Sequence, residues 1–198
     1  MENDIERRNI ELIEFRVGMG EDKKPVITGH AAMFNKLSEI LFDFREKIAP
    51  GAFTKSIKKD DVRALFNHDP NYVLGRNLAK TLKLSEDDLG LAIEIDPPDT
   101  QWARDLQESI RRGDISQMSF GFHTIKDEWF FEKGKIPIRT LTEVQLFDVS
   151  PVTYPAYPST SVACRDYLNS LKTTEQSDGQ GALKQRADSL VKARFNLR

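Results

Sequence analysis

A histidine and a serine stand roughly fifty positions apart in this chain, each beside residues that could shape a site. His68 lies in Asn67-His68-Asp69-Pro70, at the end of the apolar run Val62 to Phe66, and Ser119 lies in Met118-Ser119-Phe120-Gly121-Phe122. A hydroxyl attacks a carbonyl well only when a base takes its proton, and an imidazole is such a base only when its other nitrogen is held. With a carboxylate added, the pair therefore points to acyl-transfer chemistry. Two carboxylates are on offer in one later apolar segment, Glu143 in Thr142-Glu143-Val144 and Asp148 in Phe147-Asp148-Val149. Strand parity puts them on opposite faces, so without a bulge they cannot both point at one histidine. The residue pattern alone does not choose between them. The chain order is His, Ser, acid, unlike the His, acid, Ser of chymotrypsin-like enzymes or the Ser, acid, His of α/β-hydrolases.

Taken singly, each residue has a plainer explanation. A strand serine near a glycine is usually structural, and a turn histidine is usually a surface residue. His30 and His123 lack useful spacing to His68, and no Cys or His-x-x-Glu pattern accompanies them, so no metal site and no cofactor is expected. The single cysteine, Cys164, excludes an internal disulfide and fits a reducing cytosol. It falls in an expected helix, Ser161 to Leu171, beside Val162 and Ala163, where a small buried thiol is the better reading. A formal net charge of −2 argues against a dedicated nucleic-acid binder. No apolar run approaches the ~20 residues of a membrane span, and the polar start Met1-Glu2-Asn3-Asp4 is not a signal peptide. An apolar fraction of 39% with 30% charged residues suits a soluble domain with a real core.

The elements that must position these residues are legible in outline. Ile10 to Val17 and Pro25 to Phe34 read as strands, Pro50-Gly51-Ala52-Phe53 opens a short helix through about Lys59, and Val62 to Phe66 is a strand that ends at Asn67 and His68. Thr81 to Ser85 and Leu89 to Ile95 form a hairpin around Glu86-Asp87-Asp88. The clearest helix comes next: Asp99 or Thr100 caps it, Trp102, Leu106 and Ile110 recur at helical spacing, and Gly113 stops it. Ile115 to Phe122 is a strand that presents Met118, Phe120 and Phe122 to the core and Ser119 to the opposite, more accessible face, with Gly121 leaving room for a peptide beside the hydroxyl. A turn through Glu132-Lys133-Gly134-Lys135 leads to the last long strand, Arg139 to Val149. Many strands and few helices predict an α+β domain built on an antiparallel barrel or strongly curved sheet.

From about Thr173 the composition shifts. Thr174 to Gly181 is a polar linker without core-forming residues, and Ala182 to Phe195 spaces Leu183, Ala187, Leu190 and Val191 as a short amphipathic helix would. From Leu171 to Arg198 six Lys/Arg stand against three Asp/Glu, which gives a basic tail to a chain of net charge −2. Such a tail reads equally as a flexible terminus and as a docking peptide. The division expected is a domain over 1–171 and a tail over 172–198.

The ordered set of short segments resembles the prohead protease family of tailed bacteriophages, whose fold is similar to herpesvirus assemblin. The segments are Gly29-His30-Ala31-Ala32, Ile48-Ala49-Pro50-Gly51-Ala52-Phe53, Leu65-Phe66-Asn67-His68-Asp69, Val73-Leu74-Gly75-Arg76, Leu89-Gly90-Leu91, Gly113 to Phe122, and Val149-Ser150-Pro151-Val152-Thr153-Tyr154-Pro155-Ala156. The resemblance implies an assemblin-like barrel core with a few helices and a serine endopeptidase with His68 as base and Ser119 as nucleophile. Assemblins place a second histidine where the phage family has an acid, at the start of a segment patterned like Glu143-Val144-Gln145-Leu146. Glu143 is therefore the expected orienting acid, with Asp148 in reserve. Backbone N–H groups around Ser150 to Thr153 would form the oxyanion hole, and since Pro151 has none, Val152 or Thr153 would donate. The implied substrates are scaffold segments and the major capsid protein, inside the immature procapsid in the host bacterial cytoplasm, together with the chain itself. Assemblins also suggest a homodimer. No nucleic-acid or membrane partner is implied. The competing reading is a non-catalytic capsid scaffold or assembly chaperone that keeps the protease fold.

Overall fold

The structure, a computed structural model, describes residues 5–11, 15–20, 24–41 and 43–154. These fall within one unit, Met1–Ser159. The expected helix around Cys164, the domain boundary near Leu171, the polar linker and the amphipathic tail lie outside the described residues.

Ten strands and two helices are present among the described residues. They are β1 (Glu6–Glu11), β2 (Arg16–Met19), β3 (Pro25–Met33), β4 (Arg45–Ile48), α1 (Thr54–Lys59), β5 (Arg63–Phe66), β6 (Asp69–Arg76), β7 (Leu82–Glu86), β8 (Gly90–Ile95), α2 (Gln101–Arg112), β9 (Gln117–Phe130) and β10 (Ile138–Val152). One sheet runs in the order β1-β9-β10-β5-β6 with β4 also on β10, and the other in the order β2-β3-β8-β7. The chain is thus a mostly-sheet α+β protein with few helices. It is not purely antiparallel, because β10 pairs in parallel with β4 and again with β5. The two ladders are separate sheets, and no strand pairing among the described residues closes them into a barrel.

The long hairpin of β9 and β10 is the spine. Its turn places Gly134 at φ +79°, a conformation that glycine adopts without steric cost. On the other edge of β10, β4 pairs along Ile138–Leu141 and β5 along Asp148–Val149. In the gap between them the amides of Val144 and Leu146 donate to Ala52 O and to the buried Ser56 Oγ of α1. The short helix therefore completes a sheet edge. Its first amides are served from outside the helix, where Glu86 accepts from Phe53 N–H at 2.9 Å and from the Thr54 hydroxyl.

Met118, Phe120, Phe122, Leu146 and Val149 of the larger sheet share one buried cluster with Ile27, Leu91, Ile93 and Ile95 of the smaller and Ala103, Leu106 and Ile110 of α2. Burying each such large side chain contributes roughly 1.5–3 kcal/mol. Helix α2 ends as its sequence predicts: Gly113 at φ +82° donates to Ile110 O, and Asp114 N–H donates to Ser109 O, closing a Schellman motif. Thr100 takes the N-cap position, but its side chain makes no capping bond.

Three elements depart from the pattern read in sequence. The stretch expected as one strand over Ile10 to Val17 holds two, β1 and β2, in different sheets. β4 is masked by its charges, Arg45-Glu46-Lys47, yet Glu46 is buried because Arg8 and Arg139 neutralise it. β6 begins Asp69-Pro70-Asn71 and is mostly exposed, so it carries no apolar alternation; as an edge strand it tolerates the proline.

Candidate active site

Phe66 of β5 pairs with Asp69 of β6, which leaves Asn67 and His68 as a two-residue hairpin turn. Both have positive φ, +53° and +58°, the sign pattern of a type I′ turn. Asparagine suits the first position. The second normally takes glycine, and a histidine there is strained by roughly 1–2 kcal/mol. Such strain persists where tertiary contacts determine the conformation. The turn carries the imidazole over the end of β10 to β9.

On β9 the alternation matches the sequence pattern, with Met118, Phe120 and Phe122 in the core and Ser119 on the opposite face. That face is not accessible, however. Ser119 has 0% exposure, so a substrate reaches its hydroxyl only when the groups over it move. Gly121 also differs from expectation. A side chain there would put Cβ 2.4 Å from Asp148 Oδ2, so the glycine makes room for an acid and not for a peptide.

Asp148 reaches this face through a β-bulge. Leu146 pairs with Phe122 and Asp148 with Gly121, so Phe147 is an extra residue in the ladder. Without it Asp148 would share the core face of Leu146; the bulge turns it toward Ser119. Its Oδ1 lies 2.5 Å from His68 Nδ1, and His68 Nε2 lies 2.7 Å from Ser119 Oγ. An ionised carboxylate only accepts, so Nδ1–H donates to it and Nε2 is left to accept from the serine hydroxyl. Ser150, fully buried and two residues further along the same strand face, donates from Oγ to the same Oδ1 at 2.7 Å. The result is a continuous hydrogen-bonded chain, Ser150, Asp148, His68, Ser119, largely shielded from water: the His68 side chain is 9% exposed.

Glu143, the acid expected to orient the histidine, is not part of this chain. It meets Lys55 Nζ at 2.8 Å and Lys126 Nζ at 3.5 Å. The hydrogen bond from Lys55, reinforced by both lysine charges, holds its carboxyl below the usual glutamate range. The physical reason is register. Glu143 pairs with Lys126 across the hairpin, whereas the bulge at Phe147 redirects only the residues beyond it on β10. Of the oxyanion donors expected from the loop after this strand, Thr153 N–H is engaged, donating to Asn67 Oδ1 at 2.9 Å. Pro151 sends its carbonyl to Asn67 N–H, so ladder alternation turns the Val152 amide toward β9. Of the other histidines, His30 pairs with Asp87 at 2.8 Å and His123 packs edge-on against Phe147.

Sequence reasoning missed Ser150 and the side-chain role of Asn67. Both had a signal: Asp148-x-Ser150 is a same-face pair on a strand, and Asn is a favoured first residue of a two-residue turn.

The chain is 27% identical over 186 residues to the prohead protease of Enterobacteria phage HK97, an alignment covering 89% of this chain and 77% of that one. Among solved structures, the bacteriophage T4 capsid assembly protease aligns with 77% of this chain and 96% of its own at 12% identity and a TM-score of 0.43. A family model described as Caudovirus prohead serine protease matches residues 10–177, the greater part of the sequence, and to that family the chain belongs.

Proposed function

We propose that this chain is a serine endopeptidase that matures a phage procapsid, with Ser119 as nucleophile, His68 as general base and Asp148, in place of Glu143, as the orienting acid. The observation that carries the reading is the unbroken run of hydrogen bonds from Asp148 Oδ1 through both ring nitrogens of His68 to Ser119 Oγ. Ser119 Oγ attacks the scissile carbonyl while Nε2 takes its proton, and Asp148 stabilises the imidazolium that forms. His68 then protonates the leaving amine, and water, deprotonated by the same nitrogen, releases the acyl group.

The substrates in this reading are scaffold segments and the major capsid protein, cut within the immature shell. The chain is also its own substrate, with the polar linker from Thr174 as the site to examine. The basic amphipathic tail recruits the enzyme into the shell, so a chain ending at Leu171 is expected to be missing from purified procapsids.

The deciding experiment tracks the intact mass of purified protein over time, wild type beside Ser119→Ala. Losing a triad nucleophile costs roughly six orders of magnitude in turnover. Wild type is expected to shed its tail while Ser119→Ala stays whole. Identical trimming of both would mean that another protease cuts the linker, and self-processing would be abandoned. Where neither is trimmed, co-expression with the capsid protein decides: capsid protein left uncut by wild type removes the enzymatic reading.

A further inference from the structure

His68 stands at a turn position that its own chain does not favour, so something outside the turn must hold it there. The bonds that do so converge on its neighbour. Asn67 N–H donates to Pro151 O at 3.0 Å, Thr153 N–H donates to Asn67 Oδ1 at 2.9 Å, and Asn67 Nδ2 donates to Thr153 Oγ1 at 3.2 Å. Three hydrogen bonds thus tie one residue to the segment just past Ser150, the end of the strand that also supplies Asp148. The base arrives from β5, its acid partner from β10 and its nucleophile from β9. Direct strand pairing between β5 and β10 covers only Asp148 and Val149, and it stops short of the turn. Asn67 extends that seam by one further backbone bond, to Pro151 O, and then by its side-chain bonds to Thr153.

We infer that Asn67 is a positioning residue of the active site: its side chain clamps the His68 turn to the end of β10 and thereby sets the imidazole between Asp148 and Ser119. It touches neither reacting atom. The inference rests on the reading of His68 and Ser119 as base and nucleophile and deepens it. Two properties recommend asparagine here. It tolerates positive φ, and its amide is at once acceptor and donor, matching the Thr153 amide and hydroxyl in turn. Aspartate would keep the conformation and the bond from Thr153 N–H, and the Thr153 hydroxyl can turn to donate to its second oxygen. Glycine would keep the conformation and the backbone bond to Pro151 O and lose both side-chain bonds.

The test uses the full chain and a fluorophosphonate probe, which forms a bond from Ser119 Oγ to phosphorus and expels fluoride as His68 removes the proton. Wild type is expected to label and Ser119→Ala not to. If wild type does not label, the catalytic reading fails and the clamp falls with it. With labelling established, Asn67→Gly is expected to slow the maximal labelling rate roughly 10- to 100-fold, the scale of a misplacement of about 1 Å at a reacting group. Probe affinity and melting temperature should stay near wild type. Asn67→Asp is expected to recover most of the rate. Labelling of Asn67→Gly at the wild-type rate, or failure of Asn67→Asp to exceed it, overturns the inference. Should Asn67→Gly prove poorly folded, Thr153→Val removes only the hydroxyl partner of the Asn67 side chain; it must slow labelling at an unchanged melting temperature, and labelling at the wild-type rate refutes the clamp.

Discussion

Asp148 Oδ1 accepts from both His68 and Ser150, so the acid is oriented by two donors and given room by the missing side chain at Gly121. Each contact makes a separate prediction at the residue scale. Asp148→Asn should cost about four orders of magnitude in turnover, since an amide there favours the wrong imidazole tautomer. Glu143→Gln should leave turnover unchanged, because Glu143 serves two surface lysines. The reverse outcome in a peptide-cleavage assay would restore Glu143 to the site. Gly121→Ala should behave like loss of the acid, as its methyl group occupies the place of Asp148 Oδ2. Ser150→Ala removes one hydrogen bond to a charged group, a contribution of about 1.5–3 kcal/mol, so turnover should fall roughly 10- to 100-fold. These four variants, assayed for labelling of Ser119, separate the hydrogen-bonded run around Asp148 from Glu143.

At the scale of elements, the edge strand β1 is held by charge as well as by its ladder with β9. Arg8 forks onto Glu46 of β4 and reaches Glu6, while Arg139 of β10 bonds Glu6, Glu46 and Asp127. The network is buried, so breaking it leaves an uncompensated charge. Arg8→Ala is expected to destabilise the fold by about 3–5 kcal/mol in chemical unfolding. Burial alone would push the Glu6 carboxyl up, but Arg139 and Arg8 outweigh it and hold it below the ordinary glutamate range. A carboxyl lowered by folding contributes stability that is present above its unfolded value, about 4.3, and lost as pH falls through its folded value. Melting temperature should therefore fall more steeply with acidification below about pH 4.3 in wild type than in Glu6→Gln. Parallel curves would refute this account.

At the scale of the molecule, one chain order runs through three strands that meet only in space: His68 leaves β5, Ser119 lies on β9 and Asp148 on β10. The placement of His68 and Ser119 is legible in the sequence because those signals are local, whereas their expected roles come from the family resemblance. An imidazole at a strand end beside Asp69-Pro70 marks a turn, and two-residue alternation assigns Ser119 to the face away from Phe120. Helix α2 and the β7–β8 hairpin are legible for the same reason, through caps, glycine and periodicity. β4 and β6 are not, because ion pairing and edge exposure, both tertiary, set their composition. The third member of the site is the least readable. Glu143 and Asp148 are both acids on one strand, and where each points depends on register shifts in the β9–β10 ladder, two beside Glu143 and one at Phe147. A bulge leaves no mark in local composition; it exists because the β9–β10 pairing shifts by one residue across it. By itself the sequence determined which side chains could do the chemistry and which elements would carry two of them. Tertiary structure alone decided which carboxylate meets His68, the burial of Ser119 and the bonds between Asn67 and Thr153, because each depends on which strands lie side by side.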